Sequence, residues 1–556
     1  MKIIHADVLV VGGGPTGLAL SNVLGSAGVQ FTLVDRKPST IAEPRAVSID
    51  DESLRTMQAI GLAEPVMKDV VPGYGVHYFT RYGGRCFGKV IPTASEYGFP
   101  RRNAFRQPLF EATVREGLNR FECGQVLFGH TLESFTQDDE GVVAQVTAHD
   151  GAQMEIRAQY LIACDGGRSP VREMLGIKMV GSTFKSRWLV IDTEDDDDTF
   201  SQMRVYCDAK RAVVDVPGPH RTRRFEILVH PDESADAIME PAAIRKLLMP
   251  FRGDRETNII RKVVYTFHAR VAERWQEGRV FLAGDAAHLT PPYAGQGMNS
   301  GVRDAFNLGW KIAAVLEGRL PAQVLNTYEM ERREHAWALI RLALNLGTVM
   351  APSSRLSAFL WQSFFTFAGY IPPLRDYFLQ MKFKPKPRFK EGLLGPEDDL
   401  GKQSYRGRML PQPLVRTADG RTCLLDDLAG QEFALIQYGP ANGSGLAALD
   451  HPLWRTLRCT RVHVLPAGSP FPTLRSGASH RFVVDVNGVF ETPLAHHEGR
   501  VLLLRPDRYV AGSFKVEEQS RFAAVYAARL GIDRFDERVA DVVTVAESAA
   551  AASSHV

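Results

Sequence analysis

The chain has 556 residues, more than one hydrophobic core holds, since single cores stop growing at about 250–300 residues. Its 45% hydrophobic and 23% charged residues are those of a soluble globular protein. A net charge of +2 excludes bulk attraction to nucleic acid or to an anionic membrane. No apolar run reaches about 18 residues, so no transmembrane helix is expected. The run from Val8 is short and glycine-broken, unlike a signal peptide. Six cysteines (Cys86, Cys123, Cys164, Cys207, Cys423, Cys459) form no C-x-x-C. That fits reduced thiols in the cytoplasm and argues against a metal site or a redox disulfide.

In chain order, Asp7–Val11 reads as a buried strand that breaks into Gly12-Gly13-Gly14-Pro15-Thr16-Gly17, and a helical pattern follows. This is the G-x-G-x-x-G spacing of a strand–turn–helix that cradles a pyrophosphate. Gly12 permits the turn, Gly14 lets backbone approach phosphate, and Gly17 lets the helix pack on the strand. A second apolar run, Phe31–Val34, ends at Asp35, 18 residues past Gly17, near the spacing of about 20 for a ribose-binding acid. A helix is predicted from Ser53 to Ile60, and irregular strands of a second sheet at 71–100. Pro108 begins another helix at a first-turn position. A strand pair follows, turning at Asp138-Asp139-Glu140-Gly141.

Tyr160–Cys164 is a short buried strand ending in Asp165-Gly166-Gly167-Arg168. Residues 181–270 alternate like antiparallel strands, and the acid run Glu194–Asp198 reads as a solvated loop. Val280–Ala283 is again a buried strand, ending in Gly284-Asp285. A loop with Pro292, Gly295 and Gly297 leads into a helix from Met298 to about Glu317. The basic run Lys382–Phe389 reads as a boundary whose charges are solvated or locally paired. From about Gly401 strands alternate with helices again, as in a small α/β domain over 401–540, and 541–556 reads as a flexible tail.

Three apolar strands thus stop at Gly12–Gly17, at Asp165-Gly166 and at Gly284-Asp285. In doubly wound sheets the ligand lies past such carboxyl ends. Each glycine–aspartate pair alone is an ordinary turn; the three together are a far more specific signal.

These motifs, with Pro291-Pro292-Tyr293-Ala294-Gly295-Gln296-Gly297-Met298-Asn299, resemble the class A flavoprotein monooxygenases, the aromatic-ring hydroxylases. The resemblance covers about residues 5–390. Arg45–Glu52 and Met381–Pro385 look most similar to the 3-(3-hydroxyphenyl)propionate hydroxylase branch. It implies a Rossmann-like FAD-binding domain (parts about 1–70, 101–180 and 271–345). Into it is inserted a mainly antiparallel β substrate domain (about 71–100 and 181–270), all within residues 1–390. Residues 401–540 fit the thioredoxin-like domain of the phenol hydroxylase branch, which lacks redox cysteines; a structural or dimer-forming role is expected for it.

The resemblance also implies roles. Gly12, Gly14, Pro15, Thr16 and Gly17 hold the FAD pyrophosphate, and Asp35 the adenosine ribose, with Arg36 beside the adenine. Arg45 and Gln107 reach the phosphate and ribityl side, and Gly284-Asp285 the pyrophosphate or ribityl region. Pro292, Gly295, Gly297, Met298 and Asn299 surround the flavin pyrimidine edge. Asp165 and Arg168 link FAD to NADH or NADPH, a transient donor with no second G-x-G-x-x-G of its own. The implied reaction spends NAD(P)H and O2, through a flavin C4a-hydroperoxide, on ortho-hydroxylation of a phenol. The implied substrate is 3-(3-hydroxyphenyl)propionate or a similar phenolic acid, giving a catechol for aromatic catabolism.

The residues that meet the substrate are harder to read. Asp50, His77, Tyr265 and His268 are candidates to hydrogen-bond the phenol or take its proton, although Asp50 also suits a helix cap and His268 a satisfied strand position. Arg187, Arg224 and Tyr293 are candidates toward the substrate and its carboxylate; alternation puts Arg223 and Arg224 on opposite faces. Partners expected are the phenol, O2, NAD(P)H and a second copy in a homodimer, with no nucleic acid, membrane or metal. The alternatives are a hydroxylase of a simple phenol, a resorcinol or a polyketide, a flavin reductase or oxidase, and a non-enzymatic interaction module.

Overall fold

A computed structural model describes residues 2–386, 388–472 and 480–532. The expected tail at 541–556, and the end of the 401–540 domain, lie outside the described residues. The chain divides into two compact units, one of residues 2–313 and 329–386, the other of 314–328 and the described residues from 388 onward.

The first unit is built on an eight-stranded sheet. Four parallel strands form its centre: Val280–Leu282, Gln153–Ala163, Lys2–Val11 and Phe31–Asp35, flanked by Gly124–Phe128. Val8, Leu9 and Val10 have no solvent exposure, as an uninterrupted apolar run needs when helices cover both faces of a parallel sheet. The hairpin His130–Gln137/Val142–Ala148 hangs from this sheet. Its turn is set by Asp138, whose side chain accepts from the N–H groups of Glu140 and Gly141 at 2.8 and 3.0 Å.

A second eight-stranded sheet runs His288–Leu289, Asn258–Ala272, Met179–Glu194, Arg223–Val229, Val213–Pro217, Met203–Tyr206, Val76–Phe79, Cys86–Val90. It is antiparallel except where Met203–Tyr206 meets Val76–Phe79. Its two faces bury separate cores. One holds Trp188, Val214 and Val216 with Tyr265, Phe267 and Tyr293. The other holds Leu189, Ile191, Phe225 and Ile227 under the helices Ala235–Ile238 and Pro241–Arg252. The acid run is not simply solvated. Asp196 pairs with Arg252 at 2.7 Å, and Asp198 with Arg204 at 2.5 Å. Arg204 stands on the next strand, six residues on, but Arg252 comes from a helix 56 residues away, which the local charge pattern conceals.

The second unit holds a seven-stranded mixed sheet with Ala434–Tyr438 and Thr460–Leu465 near its centre and the helix Gln519–Leu530 at its end. This is the α/β domain expected after residue 401. Cys423 and Cys459 are free thiols in it. The unit also takes in 314–328, where Arg319 bonds Glu432 at 3.2 Å and Glu317 pairs with Arg458 at 2.9 Å. Leu320, Val324 and Leu325 are buried there. The domain therefore does not begin cleanly near 401. Cutting the chain after residue 387 should strand these three apolar residues and sharply lower the soluble yield; a truncated protein as soluble and as heat-stable as the full chain would refute that dependence.

Candidate functional site

The central strands of the first sheet end level with one another. Val11 lies opposite Val34 and Ala163, and Ala163 lies opposite Leu282. One edge therefore receives Gly12–Gly17, Asp35, Asp165 and Asp285. The glycines divide by steric need. Gly12 has φ +109°, and a Cβ there would stand 2.3 Å from the Cys164 carbonyl oxygen. A Cβ on Gly17 would stand 1.9 Å from the Gly12 carbonyl oxygen. A Cβ on Gly14 would meet nothing within 4 Å, so that position is open for a ligand rather than for packing. Gly14 is the N-cap of the helix Pro15–Ser26 and offers no side-chain cap; its first N–H groups face that opening with the positive end of the helix dipole. Thr16 keys the turn to its neighbours, since Cβ atoms on Gly284 or Gly301 would lie 2.4 or 2.2 Å from its hydroxyl.

Asp35 accepts from the N–H of Gly13 at 2.6 Å and of Lys37 at 2.8 Å, which fixes it beside the glycine turn. Arg36 is exposed. Gln107 is buried; it accepts from the Ala46 N–H at 2.6 Å and donates to Glu111 at 2.7 Å. It thereby holds the segment that presents the exposed Arg45. Asp165 accepts from the Val171 N–H at 3.1 Å with one oxygen, while the other, Oδ1, is buried without a hydrogen-bond partner among the described residues. Burial pushes its carboxyl above the usual range. Arg168 is exposed next to it. Asp285 is open to solvent yet enclosed by protein, which raises its carboxyl, with His288 and Arg45 opposing. Beneath it Asp304 accepts from the Gly284 N–H at 3.0 Å, from His288 at 2.6 Å and from Arg332 at 2.8 Å. Burial opposes ionisation of Asp304, but His288 and Arg332 outweigh it and hold its pKa at about 2.

The loop after Pro292 turns at Gly295, with φ +61°, against Ser48. The helix Gly297–Leu316 then begins, with Met298 half-buried. Asn299 has no exposure and donates to the carbonyls of Ser48 and Gly295 at 3.1 and 2.7 Å. It accepts from the Asp50 N–H at 3.0 Å and the Ser53 hydroxyl at 2.7 Å. This side chain is a strut, and what it leaves for a ligand is backbone. The open Gly14, the unpartnered Asp165 oxygen, the enclosed Asp285 and two helix N-termini all fit a dinucleotide that carries a second ring system.

Of the substrate-side candidates, Asp50 caps the helix Asp51–Ala59 through Ser53 and also bonds Arg303 and Lys384, the latter at 3.0 Å. Burial opposes its charge, yet Arg303 and Lys384 hold the carboxyl well below the usual range. Glu52 shares both cations, at 2.7 and 3.3 Å. His77 and Arg187 share the sheet face with Phe79 and Leu189 that lies under the helices, away from Tyr293. Arg187 donates there to the carbonyls of His230 and Glu233, so neither reaches the aromatic face. His268 meets the Thr183 hydroxyl at 3.0 Å.

Arg224 does point to the aromatic face, opposite to Arg223, but it is committed. It bonds Asp192 at 2.7 Å and the carbonyls of Arg45 and Pro44 at 2.5 and 2.6 Å. Its place is to tie the second sheet to the segment carrying Arg45. Tyr265 lies on the same face and accepts from Arg261 at 2.7 Å. Tyr293 meets Trp188 and Phe267 edge-on, at 5.8 and 5.5 Å between centroids.

Sequence reasoning missed Asp304, Arg303, Lys384 and Glu226. Glu226 left a signal in strand parity, two positions from Arg224 and so on the same strand face, and Lys384 stood inside the stretch Met381–Pro385 with nothing local to pair it with Asp50. Burial raises the Glu226 carboxyl, while Arg224 and Arg261 oppose.

A family model described as "FAD binding domain" matches residues 5–343, and one described as "HcaD C-terminal domain" matches residues 407–529. A protein of Burkholderia cenocepacia named 3-(3-hydroxy-phenyl)propionate/3-hydroxycinnamic acid hydroxylase is 41% identical over 94% of this chain and 96% of its own. Proteins of the same name from Escherichia coli and Comamonas testosteroni are 39% and 37% identical, covering 91% and 93% of this chain and 91% and 95% of their own. Among solved structures, the flavin-dependent monooxygenase PieE with FAD and substrate has a TM-score of 0.77 at 22% identity, covering 96% of this chain and all of its own. Aklavinone-11 hydroxylase with FAD and aklavinone has 0.73 at 24%, with the same coverage. At those identities the likeness is one of fold.

The two glycines separate binding from stability. Gly14→Ala should keep the melting temperature of the flavin-free protein and lose most bound flavin, read as absorbance per chain. Gly17→Ala should lower the melting temperature itself; equal thermal behaviour of the two variants would contradict the assignment. The acidic cluster adds a pH dependence. Burial pushes the Asp51 carboxyl up to about 7, with Lys384 opposing and Asp50 and Glu52 adding to the rise. An acid whose folded pKa lies above its unfolded value weakens the fold as pH rises between the two, here from about 4 to about 7. Asp51→Asn should match the wild type near pH 4 and be more stable at pH 8, on the order of 4 kcal/mol; parallel stability–pH curves would count against it.

Proposed function

The chain belongs to the FAD-dependent aromatic-ring hydroxylases, and we propose that it hydroxylates a phenolic acid ortho to the ring hydroxyl, with 3-(3-hydroxyphenyl)propionate or a close analogue as substrate and a catechol for aromatic catabolism as product. When bound, FAD supplies the chemistry that side chains lack, the transfer of electrons from NAD(P)H and of one oxygen atom from O2. In this reading Gly12, Gly14 and Gly17 hold the pyrophosphate and Asp35 the adenosine ribose. Arg45, Asp165 and Asp285 gather around the ribityl and phosphate side. The backbone of Gly297–Asn299 would meet the pyrimidine edge, where the positive helix start would favour negative charge.

The observation that supports the substrate reading is the aromatic cluster of Trp188, Phe267 and Tyr293, which joins the second sheet to the loop after Pro292. A flat phenol ring packs well on such edge-to-face surroundings, and the same cluster excludes water from the reaction. Tyr265 suits the phenol hydroxyl. Its oxygen already accepts from Arg261, so its own proton is free to be donated to a developing phenolate. Asp50 acts from beneath the loop by holding Arg303 and Lys384. The six thiols are free, which fits the reducing cytoplasm, where we place the enzyme as a homodimer. No helix among the described residues is long and apolar enough to cross a membrane.

The test is NADH and NADPH oxidation coupled to product analysis across a panel of phenols. 3-(3-Hydroxyphenyl)propionate should stimulate oxidation and yield the ring-hydroxylated catechol, whereas 3-phenylpropionate, lacking the hydroxyl, should yield none. Hydroxylation of bulky polycyclic phenols with no product from 3-(3-hydroxyphenyl)propionate would replace this reading.

A further inference from the structure

The helix Arg355–Ala368 is apolar on two sides. Its inner side packs on the second sheet through Phe365, 6.3 Å from Phe87 between ring centroids, and through Gln362, which donates to the Cys207 carbonyl at 3.3 Å. Its outer side carries Leu356, Phe359, Leu360, Phe364 and Phe367 at helical spacing, with Tyr370 just past its end. Leu356 is 68% exposed, Phe359 and Phe367 65%, and Tyr370 81%. A helix apolar all round is a helix meant to be covered all round.

Resting on the homodimer placed above, we propose that this outer face is the interface through which the two copies of the chain pair about a twofold axis. Area supports a stable dimer. At the 150–250 Å² that one aromatic side chain buries, the six residues expose on the order of 750 Å². A soluble monomer's largest apolar patch is about 300–600 Å², whereas each partner of a standard interface contributes about 800 Å². Charge singles out a second copy. Across a twofold axis every residue faces the same patch on its partner, so a charged face would repel itself. This stripe has no charge between Leu356 and Tyr370, and the only charged residue of the helix, Arg355, stands at its start. Aromatic enrichment without Lys, Glu or Asp is also the composition of interface centres. A membrane surface fits worse. Helices that lie in a bilayer interface carry Lys and Arg along a solvated face, and here the opposite face is packed on protein.

The stripe lies outside the cofactor cleft, so pairing can be broken without touching it. The test is sedimentation equilibrium of the full-length holoenzyme at micromolar concentration, for the wild type and for Phe359→Glu/Phe367→Glu. The wild type should sediment at twice the chain mass. The double variant should sediment at the chain mass while keeping its flavin absorbance and its circular dichroism. Leu360→Cys, near the middle of the stripe, should form a chain–chain disulfide on mild oxidation, which guards against a double variant that fails to fold. A wild type that sediments as a monomer, a folded double variant that remains dimeric, or wild-type co-sedimentation with phosphatidylcholine–phosphatidylglycerol vesicles that the double variant loses would each overturn the proposal.

Discussion

Everything at the cofactor cleft depends on one close approach. The helix Pro15–Ser26 sits so near the end of its own strand that a methyl group on Gly17 would overlap the Gly12 carbonyl, and one on Gly12 would overlap the next strand at Cys164. Because the helix start lies that low, its free N–H groups open onto the edge where three further strands also end. Raise the helix by one methyl group and the aspartates would surround a turn that no longer offers its backbone.

That edge is then stiffened from below by buried charge. Asp304 ties the Gly284 turn, His288 and Arg332 into one knot, so the exposed Asp285 rides on a fixed base. Asn299 makes the same kind of tie between the loop at Gly295, the strand Ser48–Asp50 and the helix that Asp50 caps. Arg303 and Lys384 compensate the acids Asp50 and Glu52 behind it. Such buried ionic groups add little net stability over an apolar core, because desolvation offsets attraction. Their value here is geometric: each joins segments far apart in the chain.

The glycine turn and the three strand ends of the candidate cofactor site were legible because they are written in local signals. A glycine spacing, an acid at a strand end and a proline–glycine loop are each contained in a few consecutive residues, and the sheet register brought all three strand ends to one edge. Lys384 was not legible, since it pairs with Asp50 from more than three hundred positions away and looked like one charge in a basic run. Nor was the capture of 314–328 by the second unit, because Glu317 and Arg319 look like any helix-end charges until Glu432 and Arg458 are beside them.

The substrate side was less legible for a physical reason that the arginines make plain. A strand's alternation says that Arg223 and Arg224 face opposite ways, and they do, but it says nothing of what waits on either side. Arg224 meets Asp192 and two carbonyls of the segment carrying Arg45, so a guanidinium that seemed free to hold a carboxylate ties the second sheet to that segment instead. His77 and Arg187 fail differently, since strand parity alone turns them toward the helices. What remains on the face toward Tyr293 are aromatic rings and Tyr265, and rings leave no motif. A cofactor grips backbone, which demands glycine and therefore spelling. A phenol needs only a dry wall of suitable shape, which many sequences can build, and this freedom is what allows one flavin frame to serve rings of different size.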